Sequence, residues 1–156
     1  MTSNDFSNAL RELYDGELLG EAFFECMLGQ FHNSEQSRKL TIALQLETET
    51  KARLRPFVVA AGLELNDDGE ARNTGRKLAS GFAEKSWREV MAGLLEILEP
   101  AVQRYQEILD HSPYEFRELA DSMLIHEKAL LSFVEAELEG KPNSTDAMSD
   151  QLVNRL

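Results

Sequence analysis

The sequence predicts an all-α protein with the architecture of a four-helix bundle. Of its 156 residues, 42% are hydrophobic and 28% are charged, which is typical of a globular domain. Runs of β-branched residues with period-two alternation are absent, so the segments between glycine, proline and polar breaks are expected to be helical. Four such segments have similar lengths, and short turns join them in pairs. This order predicts two antiparallel helix hairpins joined by a long crossover.

Polar residues delimit the first predicted hairpin. Its first helix is predicted over 4–32, where Asn33-Ser34 then interrupts the apolar pattern. Ser34 is a suitable N-cap for the second helix, predicted over 35–62, because its hydroxyl can accept a hydrogen bond from a free amide of the first turn. A turn of two residues implies that these helices run antiparallel.

The second predicted hairpin has its own start and stop signals. Ser86 begins a capping-box spacing, which predicts the third helix over 86–111. Pro113 suits a first helical position and Gly140 suits a helix stop, so the fourth helix is predicted over 113–139.

The connection over 63–85 is long enough to cross the whole bundle, since it could span about 75 Å if extended. An ordinary antiparallel neighbour with an oversized loop is the alternative, which the usual lengths of connections disfavour. Residues 1–140 are therefore predicted to form the bundle. Residues 141–156 form a C-terminal tail, with Met148, Leu152 and Leu156 spaced for an amphipathic turn or two.

The charge balance limits the expected partners. Lysine and arginine total 16 against 28 aspartates and glutamates, a formal net charge of −12. This charge repels phosphate backbones and anionic lipids, so neither nucleic acid nor a membrane is an expected partner. Cys26 is the only cysteine, and the first residues lack the basic and apolar stretches of a signal peptide. A cytoplasmic location is therefore expected.

Charged residues fall inside the apolar stripes of the first two helices. Winding each helix at about 100° per residue places Glu17 and Glu21 on the centre line of the first stripe. The same procedure places Glu47 and Lys51 in the second. These four side chains are therefore expected to point inward.

The other two helices differ from each other. Glu127 falls inside the stripe of the fourth helix, with His126 at its edge. On the third helix, Glu96 and Glu99 project outward, so this helix offers no carboxylate to the core.

Glu17, Glu47 and Glu127 each lie near the middle of their helix, so an up-down arrangement brings them to one level. A buried carboxylate must be paired, protonated or bound to a metal. Three explanations are open: a site for one or two ions such as iron or manganese, an ion pair of Glu17 with Lys51, or a helical phase that drifts and carries some of these groups to solvent.

The pattern resembles the ferritin-like superfamily, which includes rubrerythrins and carboxylate di-iron oxygenases. The resemblance covers residues 4–140, and its closest local pieces are 14–21, 46–51 and 126–130. It implies a di-metal centre that activates dioxygen or peroxide, with one Glu from each of two helices and a Glu-x-x-His pair from each of the others.

Carried over residue by residue, the resemblance implies the following metal ligands: Glu17, Glu47 and Glu127 at matching positions, with Glu21 and His126 as further candidates. The sequence departs from the family at Thr50, which stands where a histidine would follow Glu47, and in the third helix, which lacks an inward carboxylate. Adjacent residues such as His126 and Glu127 also point about 100° apart. Lys51 is a further objection, because an ammonium group raises the cost of binding a metal nearby. A mononuclear site, an atypical dinuclear site and a remnant that binds nothing are all compatible with this incomplete set.

Two functions are therefore expected. The first is a metal-dependent oxidoreductase that uses iron or manganese on a small molecule or peroxide. The alternative is a metal-free helical interaction or ligand-binding module that keeps a Glu17–Lys51 ion pair as a remnant. Iron storage is a third and weaker idea, because it needs a large cage.

The first helix is apolar on two opposite faces. Its outer face carries Leu19, Ala22, Phe23 and Cys26. This face is expected to pack on a second subunit or beneath the connection over 63–85. A homodimer through Leu19, Phe23 and Cys26 is the preferred prediction, since two-fold dimers are the commonest assembly.

Overall fold

The computed structural model describes residues 3–155, with side chains described from Asp5 onward. Over these residues the secondary structure consists of six α-helices and one short 3-10 helix, without a strand. The prediction of an all-α protein is confirmed. The chain divides into two compact units, one ending at Glu84 and the other beginning at Lys85, and each contains one helix hairpin.

The hairpin of the first unit consists of α1 (Ser3–Leu28) and α2 (Ser34–Ala60). Helix α1 is shorter than the predicted 4–32, because the backbone amides of Gly29 and Gln30 turn back onto carbonyl groups of the last helical turn. The loop between the helices is correspondingly longer than the two residues expected.

Asn33, and not Ser34, caps α2. The backbone of Asn33 is extended, with φ −68° and ψ 127°, and its side-chain oxygen accepts hydrogen bonds from the amides of Glu35 and Gln36 at 3.0 and 3.3 Å. Ser34 is therefore already the first helical residue. Asparagine and serine cap helices about equally well, so capping propensity could not predict which of the two residues would be the N-cap.

The long connection contains a helix of its own, α3 (Glu70–Ser80), which packs on α1. Gly75 makes the close approach possible: a Cβ atom there would overlap the carbonyl oxygen of Leu19 and lie 3.1 Å from Cβ of Ala22. Phe82, just beyond α3, packs edge-to-face on Phe23 with ring centroids 5.7 Å apart. The connection therefore covers part of the outer apolar face of α1.

This packing changes the prediction for that face. Ala22 and Phe23 are buried, with 0% and 2% exposure, in the unit that contains α3. Of the two coverings expected, the connection is the one present at these residues, so Phe23 is not an exposed contact for a second subunit. Leu19 and Cys26 are half-buried. The homodimer stays a prediction.

The second unit contains the hairpin of α4 (Trp87–His111) and α5 (Arg117–Glu139). Ser86 caps α4 in the predicted capping box, with Ser86 and Glu89 bonding to each other's backbone amides. Helix α5 begins later than the predicted 113, because Tyr114–Phe116 forms a 3-10 turn before it. It ends at Gly140, whose φ of 67° lies in the left-handed region that glycine adopts without strain.

The tail adds one short helix, α6 (Asp146–Ser149), which packs on α5. Met148 and Leu152, two of the residues expected to anchor the tail, are buried at 0% and 6% exposure. The third, Leu156, lies outside the described residues. Within 3–155, no helix combines the length and the apolarity that a membrane span requires.

The contact of α3 with α1 leads to a test. We expect Gly75→Ala to lower the free energy of unfolding, because the new Cβ would meet a backbone carbonyl that cannot move aside cheaply. Overpacking of this kind costs about 1–3 kcal/mol, more than the roughly 0.5–1 kcal/mol that alanine gains over glycine in a helix. Urea unfolding measures the difference.

Gly29→Ala is the matched control, since a Cβ there would make only an ordinary contact at 3.4 Å. Equal stability of the two variants would contradict the close packing of α3 on α1.

Candidate metal centre

The inward charged residues predicted from the sequence are all buried. Their exposed fractions are as follows: Glu17 1%, Glu21 6%, Glu47 4%, Lys51 8%, His126 0% and Glu127 7%. Glu96 and Glu99 on α4 are exposed, as predicted. The explanation in which the helical phase drifts and carries some of these groups to solvent is therefore wrong. His126, placed at the edge of its stripe by the winding, is fully buried.

Glu21 is held by hydrogen bonds on both carboxylate oxygens. Its Oε2 accepts from Lys51 Nζ at 2.5 Å and from Arg72 Nη1 at 2.6 Å, and its Oε1 accepts from Thr48 Oγ1 at 2.8 Å. Two of these three donors are cationic, which makes the bonds strong. Glu21, one of the candidate metal ligands, is an ion-pair partner in this structure.

Lys51 therefore pairs with Glu21 and not with Glu17, the partner suggested by the sequence. The reason is the direction of side chains on a helix, which lean toward the helix N-terminus. In an antiparallel hairpin, Lys51 on α2 leans toward the C-terminal end of α1, while Glu21 on α1 leans the opposite way. The two side chains meet between their Cα levels.

The ion pair determines the protonation of Glu21. Burial raises the pKa of this carboxyl group, but the hydrogen bonds from Lys51 and Thr48 and the charges of Lys51 and Arg72 together lower it by more. The net effect is a pKa below the ordinary value of 4.5. Glu21 is therefore a carboxylate at neutral pH.

Arg72 connects α3 to this network, a role that no feature of the residue pattern indicated. Its Nη1 binds the buried Glu21, while its Nη2 forms an ion pair with Glu25, which is exposed. Only the fold of the connection shows that this arginine reaches a buried carboxylate of α1. A helical reading of 70–80 would have placed Arg72 and Gly75 on neighbouring positions of one face.

A second polar cluster holds the start of the connection against the hairpin. The hydroxyl of Tyr14, which is fully buried, donates to Asp67 Oδ1 at 2.5 Å, and Arg55 forms an ion pair with the same carboxylate. Burial raises the pKa of Asp67, but the hydrogen bond from Tyr14 and the charge of Arg55 lower it by more. This cluster ties α1, α2 and the connection together before α3 begins.

Glu17 and Glu47 form a close pair of buried carboxylates within the first unit. Each offers an oxygen within 4.8 Å of the other. Gly20 makes room for Glu47: a Cβ atom at this position would lie 2.5 Å from Cδ and 2.8 Å from Oε2 of Glu47. Because Gly20 is one turn from Glu17 on the same face of α1, the carboxylate of Glu47 lies over the α1 backbone beside Glu17.

Two carboxylates this close and this buried repel each other when both are ionised. A shared proton or a bound cation relieves the repulsion. Carboxylate oxygens are ligands for Mg²⁺, Ca²⁺ and Mn²⁺, and they also bind iron in bundle proteins. The pair therefore has the chemistry of a partial site for a metal ion.

His126 and Glu127 are adjacent on α5 in the second unit, where both are buried. Their role as metal ligands stays a prediction. Thr50, which replaces the histidine of the family pattern, is buried on α2 with 0% exposure, and its Oγ1 accepts a hydrogen bond from Arg53 at 3.2 Å.

The lowered pKa of Glu21 leads to a pH-dependent prediction. A carboxyl group whose folded pKa is depressed stabilises the fold above its unfolded pKa, and this contribution is lost as the pH falls through the folded pKa. We expect Glu21→Gln to lower the free energy of unfolding at neutral pH by about 3 kcal/mol, because it leaves Lys51 buried with a weakened partner. As the pH falls below the ordinary pKa of 4.5, the free energy of unfolding should decrease less in the variant than in the unaltered protein.

Glu25→Gln is the control, because it removes the same charge from an exposed partner of Arg72. It should cost less than about 1 kcal/mol at any pH. Denaturant unfolding from pH 7 to pH 3 measures both effects, and parallel curves for the unaltered protein and Glu21→Gln would refute the assignment.

Comparison of the chain with protein-family models, with curated proteins and with solved structures finds no match. The ferritin-like superfamily therefore remains an interpretation of the residue pattern. What the protein does must be argued from its own side chains.

Proposed function

We propose that this protein binds a metal ion of the iron or manganese class through Glu17 and Glu47 and acts as a ferritin-like oxidoreductase on a small molecule or peroxide. The observation that carries the proposal is the pair of buried carboxylates, whose oxygens lie within 4.8 Å of each other. The ferritin-like resemblance implies Glu127 on α5 as a further ligand, with His126 as a possible one. The order of elements, two long-helix hairpins separated by a connection, supports the ferritin-like assignment.

The fit of a metal to these residues rests on Gly20. A side chain at this position would occupy the space of the Glu47 carboxylate. Glycine costs a helix interior about 0.5–1 kcal/mol relative to alanine, so α1 gives up stability at this position. In return, the Glu47 carboxylate lies beside Glu17, as two ligands of one ion must.

The residues of the first unit have separate roles in this proposal. Glu17 and Glu47 would hold the ion through oxygen atoms. Lys51, Thr48 and Arg72 occupy Glu21 and so remove it from the set of available ligands. A bound ion of this class would supply one-electron chemistry toward dioxygen or peroxide.

A second candidate is a metal-free interaction or ligand-binding module. The Glu21–Lys51 ion pair favours it, because it shows that this hairpin stabilises at least one buried carboxylate without a metal. In that case a proton shared by Glu17 and Glu47 would relieve their repulsion. Metal content separates the two candidates.

The metal proposal predicts the content of the purified protein. After growth with iron and manganese and purification without chelator, elemental analysis should find on the order of one equivalent of metal per chain. We expect Glu17→Gln and Glu47→Gln each to lower this content about tenfold or more, because an amide is a far weaker ligand than a carboxylate.

Glu96→Gln is the matched control, since it makes the same change on an exposed face of α4 and should leave the metal content unchanged. Less than about a tenth of an equivalent in the unaltered protein would reject the metal proposal and favour the metal-free module.

Gly20 gives an independent prediction. We expect Gly20→Ala to weaken Mn²⁺ binding about tenfold while leaving the free energy of unfolding unchanged or higher, since alanine favours helix and the Glu47 side chain can move aside. Isothermal titration with Mn²⁺ and urea unfolding measure the two quantities. Gly29→Ala, at the end of the same helix, should change neither. Unchanged Mn²⁺ affinity in Gly20→Ala would mean that the position of Glu47 is not required for binding.

A further inference from the structure

We infer that the site accepts a single divalent cation, and that the ammonium group of Lys51 holds the place that a second metal ion would need. This inference rests on the proposed metal site at Glu17 and Glu47. It departs from the two-metal centre that the ferritin-like resemblance implies, and it rests on contacts within the first unit.

Each helix of the hairpin carries a second charged residue one turn after the glutamate proposed as a ligand. Glu21 follows Glu17 by four residues on α1, and Lys51 follows Glu47 by four residues on α2. Residues four apart lie on one face, about one turn or 5–6 Å from each other. Because α1 and α2 run antiparallel, these two steps lead in opposite directions along the hairpin, so the carboxylate–ammonium pair Glu21–Lys51 lies beside the carboxylate pair Glu17–Glu47 and not one turn beyond it.

A centre of two metal ions about 3.5–4 Å apart needs ligands beyond the Glu17–Glu47 pair, and Glu21 is the other buried carboxylate among the described residues of this hairpin. Two cations already neutralise Glu21, since its Oε2 accepts hydrogen bonds from Lys51 and Arg72, and its Oε1 accepts one from Thr48. The distance of 2.5 Å between Lys51 Nζ and Glu21 Oε2 is that of a direct ion pair.

The charge balance agrees with this geometry. Among the described residues of the first unit, the buried carboxylates are Glu17, Glu21 and Glu47, and Lys51 is the buried cation. Arg72 adds a second cation, since its side chain is only 12% exposed and binds Glu21. Three carboxylates against two cations leave one net negative charge. One divalent ion reverses this to a single positive charge, while two would leave three positive charges in a buried site, which is far more costly.

Lys51 therefore acts as a specificity-determining residue for the number of ions. Its charge repels a metal ion that approaches Glu21, and it also weakens binding of the first ion at Glu17 and Glu47. Removing the ammonium group should therefore strengthen metal binding, whereas removing a contact that only supports the structure should weaken it.

Equilibrium dialysis against Mn²⁺, with elemental analysis of the protein, tests this inference. The unaltered protein should bind one Mn²⁺ per chain. We expect Lys51→Met to bind the first Mn²⁺ about tenfold tighter and to take up more than one ion, because one positive charge is removed and Glu21 regains a free lone pair. Lys51→Arg, which keeps the charge, should bind a single ion as the unaltered protein does.

Lys39→Met is the matched control, since Lys39 lies on the same helix and pairs with Glu35 at 2.9 Å near its start. It should leave both number and affinity unchanged. If Lys51→Met proves too unstable to purify, the double variant Glu21→Gln/Lys51→Met removes both charges together and is expected to fold. This double variant should bind one Mn²⁺ with the affinity of the unaltered protein.

The outcomes separate the two proposals. Two Mn²⁺ in the unaltered protein would overturn this inference and leave the metal site standing. The inference would also be overturned if Lys51→Met bound the same number of Mn²⁺ ions with the same affinity as the unaltered protein. Binding at least tenfold weaker in the double variant would overturn it too, because it would identify Glu21 as a ligand. No Mn²⁺ binding in the unaltered protein would be the failure of the proposed function itself.

Discussion

The ion pair between Glu21 and Lys51 is the interaction on which the rest of the first unit depends. Removing a carboxylate from water costs several kcal/mol unless a partner compensates it, and the hairpin of α1 and α2 buries three. Lys51 and Arg72 meet this requirement at Glu21, where Thr48 completes the hydrogen bonds. Because Arg72 belongs to α3, the buried charge also determines where the connection packs. The same pair holds the ammonium group of Lys51 on Glu21, next to the close carboxylate pair of Glu17 and Glu47.

The hairpin therefore contains two different buried pairs side by side. In one, the carboxylates of Glu17 and Glu47 lie close together, in a space that exists because residue 20 is a glycine. In the other, Glu21 and the ammonium group of Lys51 neutralise each other. The first pair has the chemistry of a partial cation site, and the second contains its own cation. In the proposal above, the ammonium group of Lys51 takes the place of one of the two metal ions that the ferritin-like resemblance implies. The missing histidine at Thr50 and the outward carboxylates of α4 agree with a reduced ligand set.

The connection between the hairpins is part of this arrangement rather than a spacer. Asp67 binds Tyr14 and Arg55 before α3 begins, Arg72 reaches Glu21 from within α3, and Gly75 allows α3 to approach the α1 backbone. The connection thereby covers an apolar face of α1, for which the sequence left two coverings open, the connection and a second subunit. Covering this face within the same chain leaves less apolar surface for a second subunit than the sequence alone suggested.

Periodicity along each helix was sufficient to predict the four long helices and the inward direction of Glu17, Glu21, Glu47, Lys51 and Glu127, because both depend on the local 3.6-residue repeat. It placed His126 only at the edge of its stripe, although this side chain is fully buried. It could not predict which of the buried groups would bind one another. That choice depends on the lean of long side chains across a hairpin, which brought Lys51 to Glu21 and not to Glu17. It also depends on the space that Gly20 leaves for the Glu47 carboxylate, on the close approach of α3 to α1 at Gly75, and on the fold of the connection, which brings Arg72 to a site many residues away. The sequence determined which charges are buried, and only the tertiary structure decided how they are paired, because pairing depends on distances between helices that the pattern of one helix does not contain.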